Sequence, residues 1–359
     1  MTSLSQNDQG FFFALTPDQV LASVEASGLR CTGRCQALSS YENRVYDVEL
    51  EPEDSKDGSL ELPRSPASWS LSAKNRFHRV VKFYRPGRWS LEQILQEHEF
   101  LLDLDAEEIP VVAPIAFSDG QTLHRTSEGG IYYAIFPKIG GRAPDELSDE
   151  QLHQVGRLIG RIHQVGSKRV ASHRVRLDPK SYGLSPLKFL IQGQFIPLEF
   201  EKRYQRAVEQ ICSLSQPWFD QVPVHRIHGD CHLGNLLCHP NFGRELGGND
   251  PGAFFVDFDD LVQGPAVQDL WLLIPGRDAE ALAKREVLLQ GYEQIRSLDR
   301  KSLRLIEPLR ALRFIHYSAW IARRWSDPAF PAAFPHFGSH QYWQDEVEDL
   351  ENQLAIMID

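Results

Sequence analysis

Long apolar runs are missing from this sequence of 359 residues. No stretch approaches the ~18 consecutive apolar residues that a membrane-spanning helix requires, so we predict no contact with a membrane. The first ten residues lack the basic-then-apolar order of a secretory signal, and the apolar run from Phe11 to Leu15 is too short to serve as one. These absences predict a cytoplasmic protein.

Cysteines are also few, and the net charge is negative. The chain has five cysteines, an odd number at irregular spacings, which is typical of free thiols in a reducing compartment. Lysine and arginine number 38 against 49 aspartates and glutamates, which gives a net charge of −11. Because nonspecific nucleic-acid binding needs a basic face that displaces counterions, this charge argues against a nucleic-acid partner. The one basic candidate, Arg323-Arg324, is better explained as a solvated helix face.

The length and composition of the chain favour a folded protein with two lobes. A chain of 359 residues exceeds what one compact core usually holds, and 42% hydrophobic with 24% charged residues is typical of a globular protein. The β-rich runs, at 35–50, 77–84 and 131–136, all fall in the first part. We therefore predict an α+β, bilobal fold, with a small β-rich N-lobe at 1–137 and a larger, mainly helical C-lobe at 138–359.

Capping signals predict where the helices begin. Thr16 followed by Pro17 is a favourable helix start, and Gly28 is a favourable end. Ser90 and Ser148 each stand three residues before a glutamine, which is the spacing of a capping box. The predicted helices cover 17–27, 90–104, 148–166, much of 185–215, 278–295 and 301–325, and 340–357.

Two polar segments interrupt this pattern. The segment from Glu51 to Arg76 is rich in Ser, Pro, Asp and Lys, and it predicts a long, mobile hairpin insertion. The segment from Pro240 to Gly252 is rich in Gly and Asn, and it separates two short apolar strands, 236–238 and 254–256. We predict a loop there.

The segment His228–Asn235 carries the most chemistry. Asp230 is followed five residues later by Asn235, then by a short strand, an excursion, an apolar strand and Asp257. Phosphoryl transfer needs a carboxylate that orients and deprotonates the attacking hydroxyl, and oxygen ligands for the Mg²⁺ that bridges the phosphates of ATP. The spacing matches the catalytic Asp, the Asn and the metal-binding Asp-Phe-Gly turn of kinases, with an aspartate here in place of the glycine. It predicts Asp230 as base in a catalytic loop at 228–235, and Asn235 and Asp257 as magnesium ligands, with Asp257 in a metal-binding turn at 257–259.

A purely structural role is the alternative for these residues. Asp230 alone is compatible with a turn residue and Asp257 with a strand cap, but three matches at the right spacing favour function. A zinc site is the competing metal hypothesis. Its candidate ligands are His225, His228, His232, His239, Cys231 and Cys238. Their spacing fits no compact ligand pairing, and zinc leaves Asp230 and Asn235 without a role.

Lys82 stands in the middle of an apolar strand, where a buried ammonium is costly unless other groups neutralise it. ATP phosphates and a carboxylate on the following helix would do so. Glu97 is the preferred partner, and Glu99, two residues on and therefore on another face of the helix, is the fallback. The alternative is an edge-strand lysine with its ammonium in water.

Three further segments complete the predicted nucleotide site. The loop 39–46 lies between two strands where a phosphate-covering loop belongs, but it contains no glycine. Ser40 and Asn43 can hydrogen-bond phosphates there, although a plain polar hairpin explains them almost as well. The segment Phe136–Ile139 predicts a hinge whose backbone contacts adenine. Asp269, at a helix start among apolar neighbours, is predicted to fix the catalytic loop as a hydrogen-bond acceptor.

Together these motifs resemble those of the aminoglycoside-phosphotransferase-like kinases, which include choline and homoserine kinases. The resemblance is closest to a bacterial branch of serine/threonine protein kinases and spans about residues 15–345. The stretches that carry it are 40–46, 81–86, 228–232, 264–271, 306–311, 323–325 and 327–330.

The resemblance implies a bilobal protein-kinase-like fold and Mg²⁺- and ATP-dependent phosphorylation of protein Ser/Thr hydroxyls, autophosphorylation included, in a cytoplasmic stress response. It assigns Ser40 to ATP, Asp230 as proton acceptor, and Asn235 and Asp257 to magnesium. The segments 51–76 and 240–252 look additional to the family pattern. We expect a monomer. A small-molecule hydroxyl kinase and an ATP-binding pseudokinase scaffold remain as alternatives, and the intact set of site residues argues against the scaffold.

Overall fold

The structure, a computed structural model, describes residues 15–38, 40, 42–52, 75–239 and 252–358. The predictions of a mobile insertion at 51–76 and of a loop at 240–252 therefore fall almost wholly outside the described residues. No helix in the described part of the chain is long and apolar enough to cross a membrane.

A five-stranded antiparallel sheet forms the N-terminal part of the described chain. Its strands are β1 (Cys31–Leu38), β2 (Arg44–Leu50), β3 (His78–Phe83), β4 (His124–Arg125) and β5 (Tyr132–Pro137), in the order β1-β2-β3-β5-β4. Lys82 is paired with Val45 of β2 on one side and Ala134 of β5 on the other. It therefore lies in the central strand, and the edge-strand alternative is wrong.

Two helices pack against this sheet, and both begin where the sequence predicts. Helix α1 (Pro17–Glu25) starts with a capping box between Thr16 and Gln19. Helix α2 (Leu91–Ala106) starts with the predicted capping box between Ser90 and Gln93. Its buried face carries Ile94, Phe100, Leu101 and Leu104 at helical spacing, and Glu97 is buried among them. The burial of this carboxylate requires a partner.

The remainder of the chain is mostly helical. Its helices are α3 (Asp149–Gly166), α4 (Ser185–Gln192), α5 (Leu198–Phe219), α6 (Val267–Trp271), α7 (Ala279–Glu293), α8 (Ile306–Arg323), α9 (Ala329–Ala333) and α10 (His340–Ile358). Two strand pairs accompany them, β6 (Val224–Ile227) with β9 (Val262–Pro265) and β7 (Leu236–Cys238) with β8 (Ala253–Phe255). A sheet followed by a mainly helical part confirms the predicted α+β, bilobal fold class.

Helices α3 and α7 pack closely against each other in the helical part. Gly156 and Gly160, four residues apart on α3, face α7 and the residues just after it. A Cβ atom on Gly156 would overlap the carbonyl oxygen of Leu288, and one on Gly160 would lie 2.9 Å from Ile295 Cβ. The same hydrophobic core continues to Phe255 and Phe258, on either side of Asp257. The metal-binding turn predicted at 257–259 is therefore attached to a rigid core.

Candidate active site

A cavity of about 810 Å³, called the cleft below, opens between the sheet and the helical part. Its size lies within the range of small-molecule and cofactor sites. The site residues predicted from the sequence all line it: Ser40, Asn43, Lys82, Glu97, Phe136, Ile139, Asp230, Asn235 and Asp257. They come from segments far apart in the chain, so the fold rather than the sequence brings them together.

The catalytic loop begins at the end of β6 and is fixed by Asp269 of α6. Asp269 is fully buried, and its two carboxylate oxygens accept hydrogen bonds from the backbone N–H groups of His228 and Gly229, both at 2.9 Å. His163 of α3 contacts the same carboxylate at 2.9 Å. Gly229 has φ +88°, and a Cβ there would overlap the carbonyl oxygen of Asp260. The loop therefore requires a glycine at this position and an acceptor at Asp269, as predicted.

His228 connects the catalytic loop to the strand that leads to Asp257. Its Nε2 lies 2.9 Å from the carbonyl oxygen of Val256, and its Nδ1 lies 3.2 Å from the backbone nitrogen of Asp230. Nε2 therefore carries the proton and Nδ1 accepts. With both ring nitrogens occupied, His228 cannot bind zinc, and no group of three or more His, Cys, Asp or Glu side chains suited to a metal ion is found within the described residues.

The side chain of Asp230 lines the cleft, where Arg313 and His232 contact it. Its Oδ1 accepts a hydrogen bond from Nη1 of Arg313 on α8 at 2.8 Å, and its Oδ2 lies 3.4 Å from Nε2 of His232. Burial raises the pKa of Asp230, but the hydrogen bond with His232 and the charge of Arg313 outweigh burial and hold it well below its usual range. Asp230 is therefore ionised and can accept a hydrogen bond from a hydroxyl group.

Asn235 and Asp257 are brought together by the backbone. Asn235 donates its side-chain N–H to the carbonyl oxygen of Asp230 at 3.0 Å, which leaves the amide oxygen for a cation. Its own carbonyl oxygen accepts from Val256 N at 2.9 Å. Asp257 adopts the left-handed conformation, with φ 62° and ψ 62°, and its side chain is 57% exposed. Such strain in a non-glycine residue is typical of functional sites.

This pair of residues fits a hard divalent cation. An amide oxygen and a carboxylate are ligands that Mg²⁺ accepts, and Mg²⁺ commonly takes its remaining ligands from phosphates and water. The strained backbone of Asp257 directs a solvent-accessible carboxylate toward the cleft instead of into an internal hydrogen bond. These two side chains do not complete the coordination of Mg²⁺. The site therefore suits a cation that binds together with a nucleotide, whose phosphates supply further ligands.

Lys82 is surrounded by carboxylates. Its Nζ lies 3.0 Å from Glu97, 3.0 Å from Asp259 and 3.7 Å from Asp257. Burial by itself would lower the pKa of Lys82, but Asp259 and Glu97 raise it well above its usual value, so the ammonium stays charged. Glu97 is the partner that the sequence favours, whereas the fallback, Glu99, pairs with Arg169 at the surface at 2.9 Å.

No role for Asp259 or Arg88 is predicted from the sequence. Asp259 occupies the place of the glycine in the Asp-Phe-Gly pattern, is 2% exposed, and pairs with Arg88 as well as Lys82. Burial raises the pKa of Asp259, but Arg88, Lys82 and Arg174 together hold it below its usual range. The signal for Asp259 was the departure from the glycine; Arg88, just before α2, carried no local signal.

Both predicted residues of the loop before β2 line the cleft. Ser40 is partly buried there. Asn43 is buried, and its side-chain oxygen accepts a hydrogen bond from the backbone N–H of Arg85 at 3.1 Å, which joins the loop to the end of β3. A phosphate oxygen accepts hydrogen bonds, so it would use the amide N–H groups of Asn43, which this contact does not occupy. The contacts of Ser40 and Asn43 with a phosphate stay predictions.

The same loop is anchored to α8 by a residue that the sequence did not single out. Glu42 accepts hydrogen bonds from Trp320 Nε1 at 2.8 Å and Arg324 Nε at 3.0 Å, and it pairs with Arg85 at 3.1 Å. Arg85 in turn pairs with Asp327 at 2.9 Å. The anchor connects residues of the N-terminal sheet to the helical part directly above the cleft.

The segment Phe136–Ile139 comprises the last two residues of β5 and the two residues after it. β4 pairs with β5 at Tyr132 and Tyr133, and within the described residues this ladder stops before Phe136. The backbone of Phe136–Ile139 thus has no strand partner on the β4 side. This geometry is compatible with the predicted contact between hinge backbone and a planar base.

Comparison with known proteins gives a consistent result. The model of the phosphotransferase enzyme family, APH, matches residues 36–306. The chain is 37% identical to stress response kinase A of Escherichia coli (strain K12) over 353 residues, which cover 98% of this chain and 96% of that protein. It is also 37% identical, over the same shares, to the serine/threonine protein kinase RdoA of Salmonella typhimurium (strain LT2).

Among solved structures, the fold is similar to that of the amicoumacin kinase hAmiN in complex with AMP-PNP, Ca²⁺ and Ami. The TM-score is 0.65 at 21% sequence identity, and the match covers 92% of this chain and 93% of the other. At this identity the likeness concerns the fold.

Proposed function

This chain belongs to the phosphotransferase enzyme family and is a kinase of that family, and we propose that it transfers the γ-phosphoryl group of ATP, with Mg²⁺, to serine or threonine hydroxyls of proteins, its own chain included. The observation that carries the proposal is that Lys82, Asp230, Asn235 and Asp257 line one cleft. The name of the serine/threonine protein kinase RdoA supports a protein acceptor. The name of stress response kinase A supports a role in a stress response, and we extend the proposal to a cytoplasmic monomer.

In this proposal Lys82 binds the α- and β-phosphates. Its ammonium is already charged and held in place by Glu97 and Asp259. Asn235 and Asp257 would hold the magnesium ion. A bound ion would neutralise the charge that develops on the phosphates during transfer.

Asp230 orients the acceptor hydroxyl and takes its proton. The Asp269 contacts to the two preceding backbone N–H groups fix the loop that carries this carboxylate. Positioning of this kind is the main contribution that a protein makes to phosphoryl transfer. The hydroxyl oxygen then attacks the γ-phosphorus, the bond to the β-phosphate bridging oxygen breaks, and ADP leaves.

The substitution Asp230→Asn tests the proposal. Purified chain is incubated with labelled ATP and Mg²⁺ alone, then with a mixed protein acceptor, then with a panel of small amino alcohols and amino sugars. We expect label in the chain and in protein, and a loss of about 10²- to 10⁴-fold in rate with Asp230→Asn at saturating ATP. Asp145→Asn, an exposed residue outside the cleft, is the matched control and should behave as wild type.

The acceptor panel separates the alternatives. Label found only in small hydroxyl compounds would replace the protein-kinase proposal with a small-molecule kinase. Tight ATP binding without any turnover in Mg²⁺ or Mn²⁺ would favour a pseudokinase scaffold. Full activity of Asp230→Asn would remove the assignment of the base.

A further inference from the structure

One face of helix α8 lines the cleft beside Asp230. Its members recur at helical spacing: Leu309, Arg313, His316, Tyr317 and Trp320. We call this face the α8 stripe. None of these residues binds a nucleotide or metal in the function proposed above. Because Arg313 of the stripe touches Asp230, the stripe is a surface next to which an acceptor at Asp230 binds.

Arg313 is the charged member of the α8 stripe. Its Nη1 donates to Asp230 Oδ1 at 2.8 Å, and its side chain is 42% exposed. A guanidinium has five N–H donors in a planar fork. Within the described residues the contact with Asp230 is the hydrogen bond that it makes, and Arg313 lines the cleft, so its remaining donors are open to a ligand.

The ion pair between Arg313 and Asp230 is expected to contribute little to the stability of the fold. Ion pairs with substantial exposure contribute roughly 0–1 kcal/mol. The pair also occupies Oδ1 of the carboxylate that receives the acceptor hydroxyl. An acceptor therefore gains if it brings its own anion for the guanidinium, because the carboxylate is then free to bind the hydroxyl.

Two acidic groups near the stripe are already paired. Glu42 is held by Arg324 and Arg85, and Asp260 is held by Arg88. Apart from Leu309, the rest of the stripe is aromatic: His316 stacks on Tyr182 at 4.2 Å, and Tyr317 stacks on Trp320 at 5.6 Å. The surface around Arg313 thus offers a cation and flat apolar rings, which suit an acidic peptide segment better than a polycationic compound.

We infer that Arg313 selects protein acceptors that carry an Asp or Glu side chain next to the Ser or Thr that is phosphorylated. The inference rests on the proposed protein-kinase function. A hydroxyl bound to Asp230 lies within about 6 Å of the guanidinium, which one or two residues of extended chain span. The acidic side chain takes over the guanidinium of Arg313, including the Nη1 donor that Asp230 held, and Asp230 is released to the hydroxyl. Arg313 is a specificity-determining and positioning residue.

The test is a set of matched peptides with one central serine. The residue one or two positions from it is Glu, Gln or Lys, and kcat and KM are measured for wild type, Arg313→Gln and Arg313→Lys. A charge-assisted hydrogen bond predicts that wild type prefers the Glu peptide to the Gln peptide by about tenfold or more in kcat/KM. We expect Arg313→Gln to lose this preference, measured as the ratio of kcat/KM for the Glu and Gln peptides within each variant, and Arg313→Lys to keep part of it.

Arg323→Gln is the control, since Arg323 lies on the same helix but stacks on Phe189 outside the cleft. It should keep the wild-type preference. Peptide phosphorylation without any preference for Glu, a preference for Lys, or a Glu preference that survives Arg313→Gln would each overturn the inference and leave the proposed function standing. If neither peptides nor the chain itself are phosphorylated while small hydroxyl compounds are, the proposed function and the inference both fall.

Discussion

At the residue scale, the charge cluster around Lys82 determines how the cleft is built. Two cations, Lys82 and Arg88, share the carboxylate of Asp259, and all three side chains are at most 10% exposed. A buried charge that loses its partner is costly because neither water nor another group compensates it. Asp259 therefore contributes to folding as well as to the position of Lys82.

We predict that Asp259→Asn lowers the free energy of unfolding by about 3 kcal/mol, because Lys82 and Arg88 lose a buried counter-charge. Urea unfolding at neutral pH measures this change. Glu99→Gln is the control, since the Glu99–Arg169 pair is exposed on both sides, and we expect it to change stability by less than about 1 kcal/mol. Equal stability of the two variants would contradict the proposed role of Asp259.

A second residue-scale prediction concerns pH. Glu346 of α10 is partly buried and accepts a hydrogen bond from Ser318 at 2.7 Å. Burial raises its pKa from 4.5 to about 7. Since the folded state favours the protonated form, the stability that this group contributes is fully present below about pH 4.5 and is lost as the pH rises through 7.

Glu346→Gln removes this titration. We expect the wild type to lose up to about 3 kcal/mol relative to the variant between pH 5 and pH 8, given the two pKa values. Urea unfolding of both proteins at the two pH values measures the difference. A constant difference would show that Glu346 does not titrate in this range.

The site residues that can be predicted from the sequence carry a local signal, whereas the others are brought to the site only by packing. Asp230 and Asn235 have a fixed spacing within one loop, and Lys82 is recognisable as a charge inside an apolar strand. Arg313 and Glu42 have no such local signal. Arg313 is 83 residues from Asp230 in the chain, and only the packing of α8 brings the two together.

At the element scale, local chemistry predicts the helix starts well. The capping boxes at Ser90 and Ser148 are present, because they depend on contacts between residues three apart. Helix ends depend more on packing, and α1 ends at Glu25, two residues before the predicted end. The β-rich run at 35–50 divides into β1 and β2, and β1 starts earlier than predicted, at Cys31, because its pairing with β2 extends it.

The contact between α3 and α7 gives the element-scale prediction. A side chain at Gly156 would overlap the backbone of Leu288, so Gly156→Ala forces the two helices apart. We expect a loss of about 2–3 kcal/mol in the free energy of unfolding, as is common for overpacked interiors. Gly140→Ala, whose Cβ would meet Asn75 at an ordinary 3.5 Å, is the control and should change stability by less than about 1 kcal/mol in urea unfolding.

At the scale of the whole molecule, the two parts of the chain meet through the anchor at Glu42. The loop before β2 is joined to Trp320 of α8 and to Arg324 just after it, so the helix that carries the α8 stripe also anchors the predicted phosphate-covering loop. The sequence predicts the loop and the helix, but it does not indicate that they touch, since the contact spans 282 residues of chain.

We predict that Arg324→Gln raises the KM for ATP several-fold and leaves kcat nearly unchanged. The loop loses one of its anchors to α8, while Glu42 keeps Arg85 as a partner, so the fold is retained. Steady-state kinetics with ATP varied at saturating acceptor measure the effect. Arg323→Gln, one residue away and outside the anchor, should match wild type, and an equal rise in KM for that variant would argue against the anchor.

The most direct test of the central claim is a crystal structure with Mn²⁺ and a non-hydrolysable ATP analogue, in which anomalous scattering locates the cation. The account predicts Mn²⁺ about 2.2 Å from the side-chain oxygens of Asn235 and Asp257, with Lys82 on the α- and β-phosphates and Asp230 facing the γ-phosphate. A cation bound away from Asn235 and Asp257, or a nucleotide that leaves Lys82 in contact with carboxylates alone, would contradict it.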